Sequence, residues 1–88
     1  MRGRKTPAVA FITRLIRTSP RDKLTAFIEK SPLTSHERDL VLRYADGAIY
    51  KELAAFYHIT TAAIYAQKRK AYEKLARYYL TKTWYFIA

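Results

Sequence analysis

No cysteine occurs in the 88 residues of this chain. The protein can therefore form neither a disulfide nor a thiolate metal site, and its composition is compatible with the cytoplasm, where we expect it to reside. Glycine is nearly as scarce, since Gly3 and Gly47 are the only two, and this excludes a glycine-rich phosphate-binding loop. No segment approaches the ~20 consecutive apolar residues of a membrane-spanning helix, so we expect no contact with a membrane.

Residues suited to catalysis or metal binding are also few. The two histidines, His36 and His58, fall on a predicted helix start and in a predicted turn, where we do not expect them to share a metal. No nucleophile, base and acid occur in a spacing typical of an active site. We therefore expect a protein without enzymatic activity and without a metal or cofactor.

Seventeen lysines and arginines face seven acidic residues, and their distribution is uneven. Residues 1–23 carry a net charge of +6, residues 24–60 carry −1, and residues 61–88 carry +5, which together make the net charge of +10. A positive field concentrated in this way attracts a polyanion such as nucleic acid. The alternative is a charged surface whose only role is solubility.

Apolar residues recur at helical spacing in several segments, which predicts an all-α domain of four to five helices. A first helix is predicted over residues 8–18. Ser19 is the expected N-cap of a second helix, with Pro20 at its first position, and Ser31-Pro32 is expected to end it. These two helices are expected to support the rest of the domain, or alternatively to dimerise.

Residues 33–45 carry the signature of a helix start. Thr34 is followed three residues later by Glu37 and then by an apolar run, which predicts a capping box at the start of a helix over residues 35–45. Gly47 is placed to end that helix in the left-handed conformation.

A helix-turn-helix pattern follows directly. A short helix over about residues 50–57 leads through a tight turn into a longer helix that Thr60 caps. This longer helix contains no Gly or Pro and is predicted to run from Thr61 to about Thr81 or beyond. Short helix, tight turn and longer helix is the plan of many DNA-binding proteins.

The 43 residues from Leu33 to Leu75 resemble the helix-turn-helix shared by the C-terminal, promoter-reading domain of bacterial sigma factors and by LuxR-type response regulators. The matching residues are Leu33, Thr34, Glu37, Arg38, Leu40, Leu42, Arg43, Gly47, Glu52, Leu53, Ala54, Ile59, Thr60, Ile64, Ala71, Lys74 and Leu75. The resemblance implies a DNA-binding module whose last helix enters the major groove. The chain departs from the family at Ile49, where Ser or Thr is usual, and at His58, where Gly is usual.

The start of the last helix, from Thr60 to Lys68, is expected to lie in the major groove. Its small side chains can touch thymine methyl groups, whereas Gln67 can pair with adenine through two hydrogen bonds. A basic band further along the helix is expected to hold phosphates and set the register. The predicted DNA-binding residues are Thr60, Thr61, Ala62, Ala63, Tyr65, Gln67, Lys68, Arg69, Lys70, Lys74 and Arg77, together with Arg2, Arg4 and Lys5.

The two termini differ in composition. Residues 1–7 form a basic arm in which Arg2-Gly3-Arg4 is similar to the core of an AT-hook, a motif that lies in the minor groove. The alternative is a terminus that contacts phosphates alone. Residues 8–32 are then the support helices, residues 33–82 the DNA-binding domain, and residues 83–88 an aromatic tail.

Aromatic residues recur every seven positions along the last helix, at Tyr65, Tyr72, Tyr79 and Phe86. Either Tyr72 and Tyr79 pack on the N-terminal helices, or the stripe joins two chains in a homodimer through Tyr72, Tyr79, Trp84 and Phe86.

These observations predict sequence-biased binding of double-stranded DNA by a bacterial or phage transcription regulator. One alternative is an architectural or packaging protein that organises phage or plasmid DNA. Another is a sigma-like module whose partner is RNA polymerase.

Overall fold

The computed structural model describes residues 7–87, with side chains described for residues 7–81. This part of the chain folds into five helices and contains no strand, which confirms the predicted all-α domain of four to five helices. The helices are α1 (Pro7–Thr18), α2 (Arg21–Lys30), α3 (Ser35–Ala45), α4 (Tyr50–Tyr57) and α5 (Thr61–Ile87). The predicted DNA contacts of the basic arm, Arg2, Arg4 and Lys5, lie outside the described residues.

Local capping chemistry sets the start of α3. The Thr34 hydroxyl accepts a hydrogen bond from the Glu37 amide at 3.1 Å, and Glu37 Oε1 accepts one from the Thr34 amide at 3.0 Å. Both halves of the predicted capping box are therefore present. The helix ends before Gly47, whose φ of +108° is a backbone angle that glycine adopts without steric cost.

The start of α2 differs from the prediction. Ser19 does not cap the helix: Pro20 occupies the cap position, no side chain caps it, and the first helical residue is Arg21. The Ser19 amide instead donates to the Leu15 carbonyl at 3.0 Å, so Ser19 continues the hydrogen bonding of α1. At its other end α2 is capped by Ser31, where the prediction ended it.

The long helix α5 joins two clusters of buried side chains. The first cluster packs α5 against α1, α2 and α3, and the second packs the start of α5 against α3 and α4. Their buried members are Val9, Ile12, Leu24, Ile28, Leu33, Val41, Ala71, Tyr72, Leu75 and Ala76 in the first, and Leu40, Leu53, Ala54 and Ile64 in the second. Because α5 contributes to both clusters, packing with the other helices fixes the position of its first turns.

The aromatic stripe of α5 is used inside the monomer. Tyr72 is 1% exposed. The centroid of the Tyr79 ring lies 5.1 Å from that of Phe11 and 6.2 Å from that of Phe27. Packing of Tyr72 and Tyr79 against the N-terminal helices is therefore the arrangement observed. The burial of Tyr72 removes it from the alternative seam between two chains, whereas a homodimer that uses Tyr79, Trp84 and Phe86 stays a prediction.

Helix α5 continues to Ile87 and crosses the predicted boundary between residues 33–82 and the aromatic tail without a break. Trp84 and Phe86, the other two predicted dimer contacts, have side chains outside the described residues. Although α5 has 27 residues, neither it nor another helix within residues 7–87 is long and apolar enough to cross a membrane.

Candidate nucleic-acid interface

The turn between α4 and α5 is held by backbone conformation and by a cap. His58 adopts the left-handed conformation, with φ 60° and ψ 42°, which few residues other than Gly adopt readily. The Thr60 hydroxyl then accepts a hydrogen bond from the Ala63 amide at 3.0 Å and caps α5, as predicted. At the start of α4, Ile49 supplies no side-chain cap, and Glu52 Oε1 accepts from the Ile49 amide at 3.1 Å. The two helices and this turn form a helix-turn-helix.

The outward surface of α5 begins directly after this turn. Thr61, Ala62, Tyr65 and Ala66 are exposed on its first two turns, whereas Ile64 faces the core. Residues four apart lie on one side of a helix, so the methyl groups of Ala62 and Ala66 are neighbours. Ala66 was not among the predicted contacts, although its spacing from Ala62 was a usable signal.

Two larger side chains flank these alanines. Tyr65 is 40% exposed, and its ring centroid lies 6.2 Å from that of Tyr50 on α4. Gln67 is half-buried on the other flank, where its Oε1 lies 2.7 Å from Nε2 of His36 on α3. Ala63 is half-buried beside the cap and adds little to the outward surface. His36 on α3 therefore contacts a predicted DNA-binding side chain.

Lys68 points into the domain rather than toward solvent. It is 6% exposed. Its Nζ lies 4.3 Å from the ring centroid of Tyr44, 4.8 Å from that of Tyr72 and 5.4 Å from that of Tyr50. The faces of these rings attract the ammonium group. The predicted phosphate contact of Lys68 is therefore withdrawn, because the side chain is already enclosed by aromatic rings. Its spacing of four from Ile64 and from Tyr72 places it on the buried stripe of α5.

Lys74 is also engaged within the domain. Its Nζ donates to both carboxylate oxygens of Glu37, at 2.9 and 3.0 Å. Glu37 is only 8% exposed, so the ion pair lies largely within the fold. Burial acts to raise the pKa of Glu37, but hydrogen bonds from the Thr34 amide and from Lys74, with the charge of Lys74, outweigh it and leave that pKa below its usual value.

The remaining cations of the predicted band lie toward solvent. Lys70 and Arg77 are exposed, and Arg69 is half-exposed with its Nε 3.5 Å from Glu73 Oε2. Lys70 lies four residues after Ala66, and Arg77 seven residues further, so both continue the same side of the helix. We call this surface the α5 face; it consists of Thr61, Ala62, Tyr65, Ala66, Arg69, Lys70 and Arg77.

The α5 face thus has two parts of different chemistry. Its first two turns carry small and aromatic side chains, and its later turns carry cations. Among the described residues, no three His, Asp or Glu side chains are grouped so that they could hold a metal ion. The arrangement suits an extended anionic ligand that contacts a narrow helical surface at one end and positive charge at the other.

Comparison with known proteins gives no further assignment. A scan against protein-family models, a search of curated proteins and a search of solved structures each found no match. The resemblance to sigma factors and LuxR-type regulators therefore rests on the sequence pattern of residues 33–75.

Proposed function

We propose that this chain binds double-stranded DNA through α4 and α5, with the first turns of α5 in the major groove, and that it is a transcription regulator built on the plan of sigma-type and LuxR-type DNA-binding domains. The observation that carries this proposal is the α5 face. It begins directly after a helix-turn-helix turn, is exposed, and continues into a row of cations.

The size of the face fits the groove. An α-helix with its side chains is about 10–12 Å wide, and the major groove of DNA is about 12 Å wide. Ala62 and Ala66 present only methyl groups, so the axis of α5 can approach the base edges more closely than a helix with long side chains there. Tyr65 and Thr61, which are four residues apart, then extend toward bases from one flank of the alanines.

The cations of the α5 face set the expected salt dependence of DNA affinity. With Arg69, Lys70 and Arg77 each neutralising one phosphate, log affinity falls with log salt by a slope of about 2.7. A fourfold rise in salt then weakens binding roughly 40-fold. This salt dependence is shallower than that of a helix on which Lys68 and Lys74 also contacted phosphates. The ammonium group of Lys68 is enclosed by aromatic rings, and that of Lys74 is paired with Glu37.

A second function is favoured by one feature of the same face. Thr61, Ala62 and Ala66 provide no paired hydrogen bonds to a base edge. A protein that recognises DNA mainly through phosphates and shape has this character, as an architectural or packaging protein of a phage or plasmid does. A sigma-like module that contacts RNA polymerase shares the fold but does not require the α5 face.

Selection from a random duplex library tests the proposal, with the mass of the free and bound protein measured alongside. We expect enrichment of a short sequence and loss of binding in a variant carrying Lys70→Glu and Arg77→Glu. A variant carrying Lys23→Glu and Lys30→Glu on α2 has the same net charge and serves as the control, with binding close to that of the unmodified chain.

The outcomes separate the candidates. A specificity ratio near one with retained affinity favours the architectural protein. Equal losses in the two charge-reversal variants would contradict the proposal, because they would show that net charge alone governs binding and that the α5 face has no special role. A mass of two chains on one duplex would support a dimer on DNA.

A further inference from the structure

The pair formed by His36 and Gln67 connects the edge of the α5 face to α3. Gln67 Oε1 and His36 Nε2 are 2.7 Å apart, although the two residues are 31 positions apart in sequence. Gln67 follows Ala66 and lies beside the exposed alanines. Any role of Gln67 at a DNA surface therefore depends on which of its amide atoms His36 occupies.

The imidazole of His36 is oriented by its neighbours. Its ring centroid lies 4.7 Å from that of Tyr57 on α4, at 72° between the planes. The Tyr57 hydroxyl donates a hydrogen bond to Asp39, and Asp39 Oδ2 also accepts one from Arg43 Nε at 2.8 Å. Tyr57 is thus fixed at both its ring and its hydroxyl, and it limits the rotation of His36.

The protonation states of Tyr57 and Asp39 preserve the hydrogen bond between them at neutral pH. Burial, together with the hydrogen bond to Asp39, raises the pKa of Tyr57 to about 12. The hydrogen bonds from Tyr57 and Arg43 lower the pKa of Asp39. Tyr57 is therefore a donor and Asp39 an acceptor over the range in which the protein would bind DNA.

The hydrogen bond assigns the roles of the Gln67 amide. Oε1 is an acceptor only, so the atom that faces it, His36 Nε2, must carry the proton. With one lone pair of Oε1 engaged by His36 on α3, the NH₂ group is the part of the Gln67 amide that keeps its full hydrogen-bonding capacity for a ligand. We infer that His36 is a positioning residue that makes Gln67 a hydrogen-bond donor toward duplex DNA; this inference rests on the proposed function.

This assignment changes the chemistry expected of Gln67. Paired recognition of adenine requires both its Oε1 and its NH₂ group. An NH₂ group alone recognises acceptor atoms, which duplex DNA offers as phosphate oxygens and as the N7 and O6 atoms of guanine. Because the Gln67 carbonyl is turned toward His36, we expect donation from the NH₂ group to an acceptor atom rather than the adenine pairing predicted from sequence.

The first test uses the free protein and requires no DNA. Long-range ¹H–¹⁵N spectra of the imidazoles distinguish a proton on Nε2 from one on Nδ1. We expect the Nε2–H tautomer for the neutral imidazole of His36, and a loss of this bias in Gln67→Met. A His36 Nδ1–H tautomer in the unmodified protein would overturn the inference, because Nε2 would then have no proton to donate.

The second test separates the ring of His36 from its N–H group. His36→Phe retains a ring against Tyr57 and removes the donor, whereas His36→Gln retains a donor near the Nε2 position and removes the ring. Ser35→Ala, at the neighbouring exposed position, is the matched control. Binding is measured on the selected duplex and on duplexes with each base changed, at several salt concentrations.

Two patterns support the inference and identify the acceptor. If the acceptor is a base atom, His36→Phe frees Gln67 to pair with adenine and shifts the preference toward adenine at one position by about fivefold or more. If it is a phosphate, His36→Phe and Gln67→Met weaken binding to all duplexes alike. In both cases His36→Gln and Ser35→Ala behave like the unmodified protein.

Other results overturn it. If Gln67→Met changes binding but His36→Phe does not, Gln67 acts without His36. If His36→Phe binds DNA like the unmodified protein and His36→Gln binds more weakly, the ring of His36 matters and its N–H donor does not. If the unmodified protein binds no duplex, the proposed function and the DNA role of Gln67 fail together, whereas the spectra still report the geometry of the pair.

Discussion

Lys68 and Lys70 provide a sharp comparison, because they are the same residue type two positions apart on one helix. Lys70 is exposed, while Lys68 is enclosed by Tyr44, Tyr50 and Tyr72. We predict that Lys70→Met reduces the salt dependence of DNA binding and that Lys68→Met leaves it unchanged. Both substitutions remove one positive charge and preserve an unbranched apolar side chain, so their effect on net charge is identical.

The magnitude follows from the number of phosphates that each variant can neutralise. Lys70→Met leaves two contacts on the α5 face, and the slope of log affinity against log salt falls by about 0.9. A fourfold rise in salt then weakens binding roughly 12-fold, compared with roughly 40-fold for the unmodified protein. Lys68→Met leaves the slope unchanged, because its ammonium group does not reach DNA.

Fluorescence anisotropy on a labelled duplex at five or more salt concentrations measures these slopes. Thermal unfolding of each variant is recorded in parallel, so that binding is compared only where both are folded. A slope reduced as much by Lys68→Met as by Lys70→Met would refute the reasoning, since it would show that Lys68 leaves its aromatic enclosure to contact a phosphate.

Further predictions concern stability. Ile64→Ala removes a fully buried side chain at the start of α5 and should lower the free energy of unfolding by about 2–5 kcal/mol; a loss below about 1 kcal/mol would show that the second cluster does not hold the helix-turn-helix. Thr60→Ala removes the cap of α5 and should cost about 1 kcal/mol, measured in urea, and an unchanged midpoint would contradict the cap. Because the pKa of Glu37 is lowered in the folded state, its contribution is present above its unfolded pKa of about 4.3 and is lost as pH falls through the folded value. The melting temperature should therefore decrease as the pH falls below about 5. Glu37→Gln should flatten this part of the plot of melting temperature against pH, and an unchanged steepness would exclude the pair with Lys74.

The features that sequence predicted well are those set by neighbouring residues. Thr34 and Glu37 are three positions apart, and their capping box needs no information from the rest of the fold. The cap at Thr60 and the ends of α3 and α4 have the same local origin. Ser19 is the exception, because its amide completes α1 and Pro20 takes the cap position.

Features that depend on tertiary contacts were predicted less well. From sequence alone, Lys68 resembles a surface cation because it lies in a basic segment of the helix. Two of the rings that enclose it, Tyr44 and Tyr50, come from α3 and α4. The partner of Lys74 is Glu37, 37 positions away. The contact between His36 and Gln67 likewise joins two helices that local patterns treat separately. In each case the residue that the α5 side chain meets belongs to another helix, which local sequence patterns do not specify.

The absence of cysteine allows the central claim to be tested at a single site. Ala66→Cys places one thiol on the α5 face, and Ala26→Cys places one on the exposed surface of α2. Each variant is labelled with a photoactivatable crosslinker and irradiated with duplex DNA, and the crosslinked nucleotides are mapped. The proposed function predicts crosslinks to bases through the major groove from position 66 and few from position 26. Equal crosslinking from the two positions, or crosslinking from position 26 alone, would contradict it.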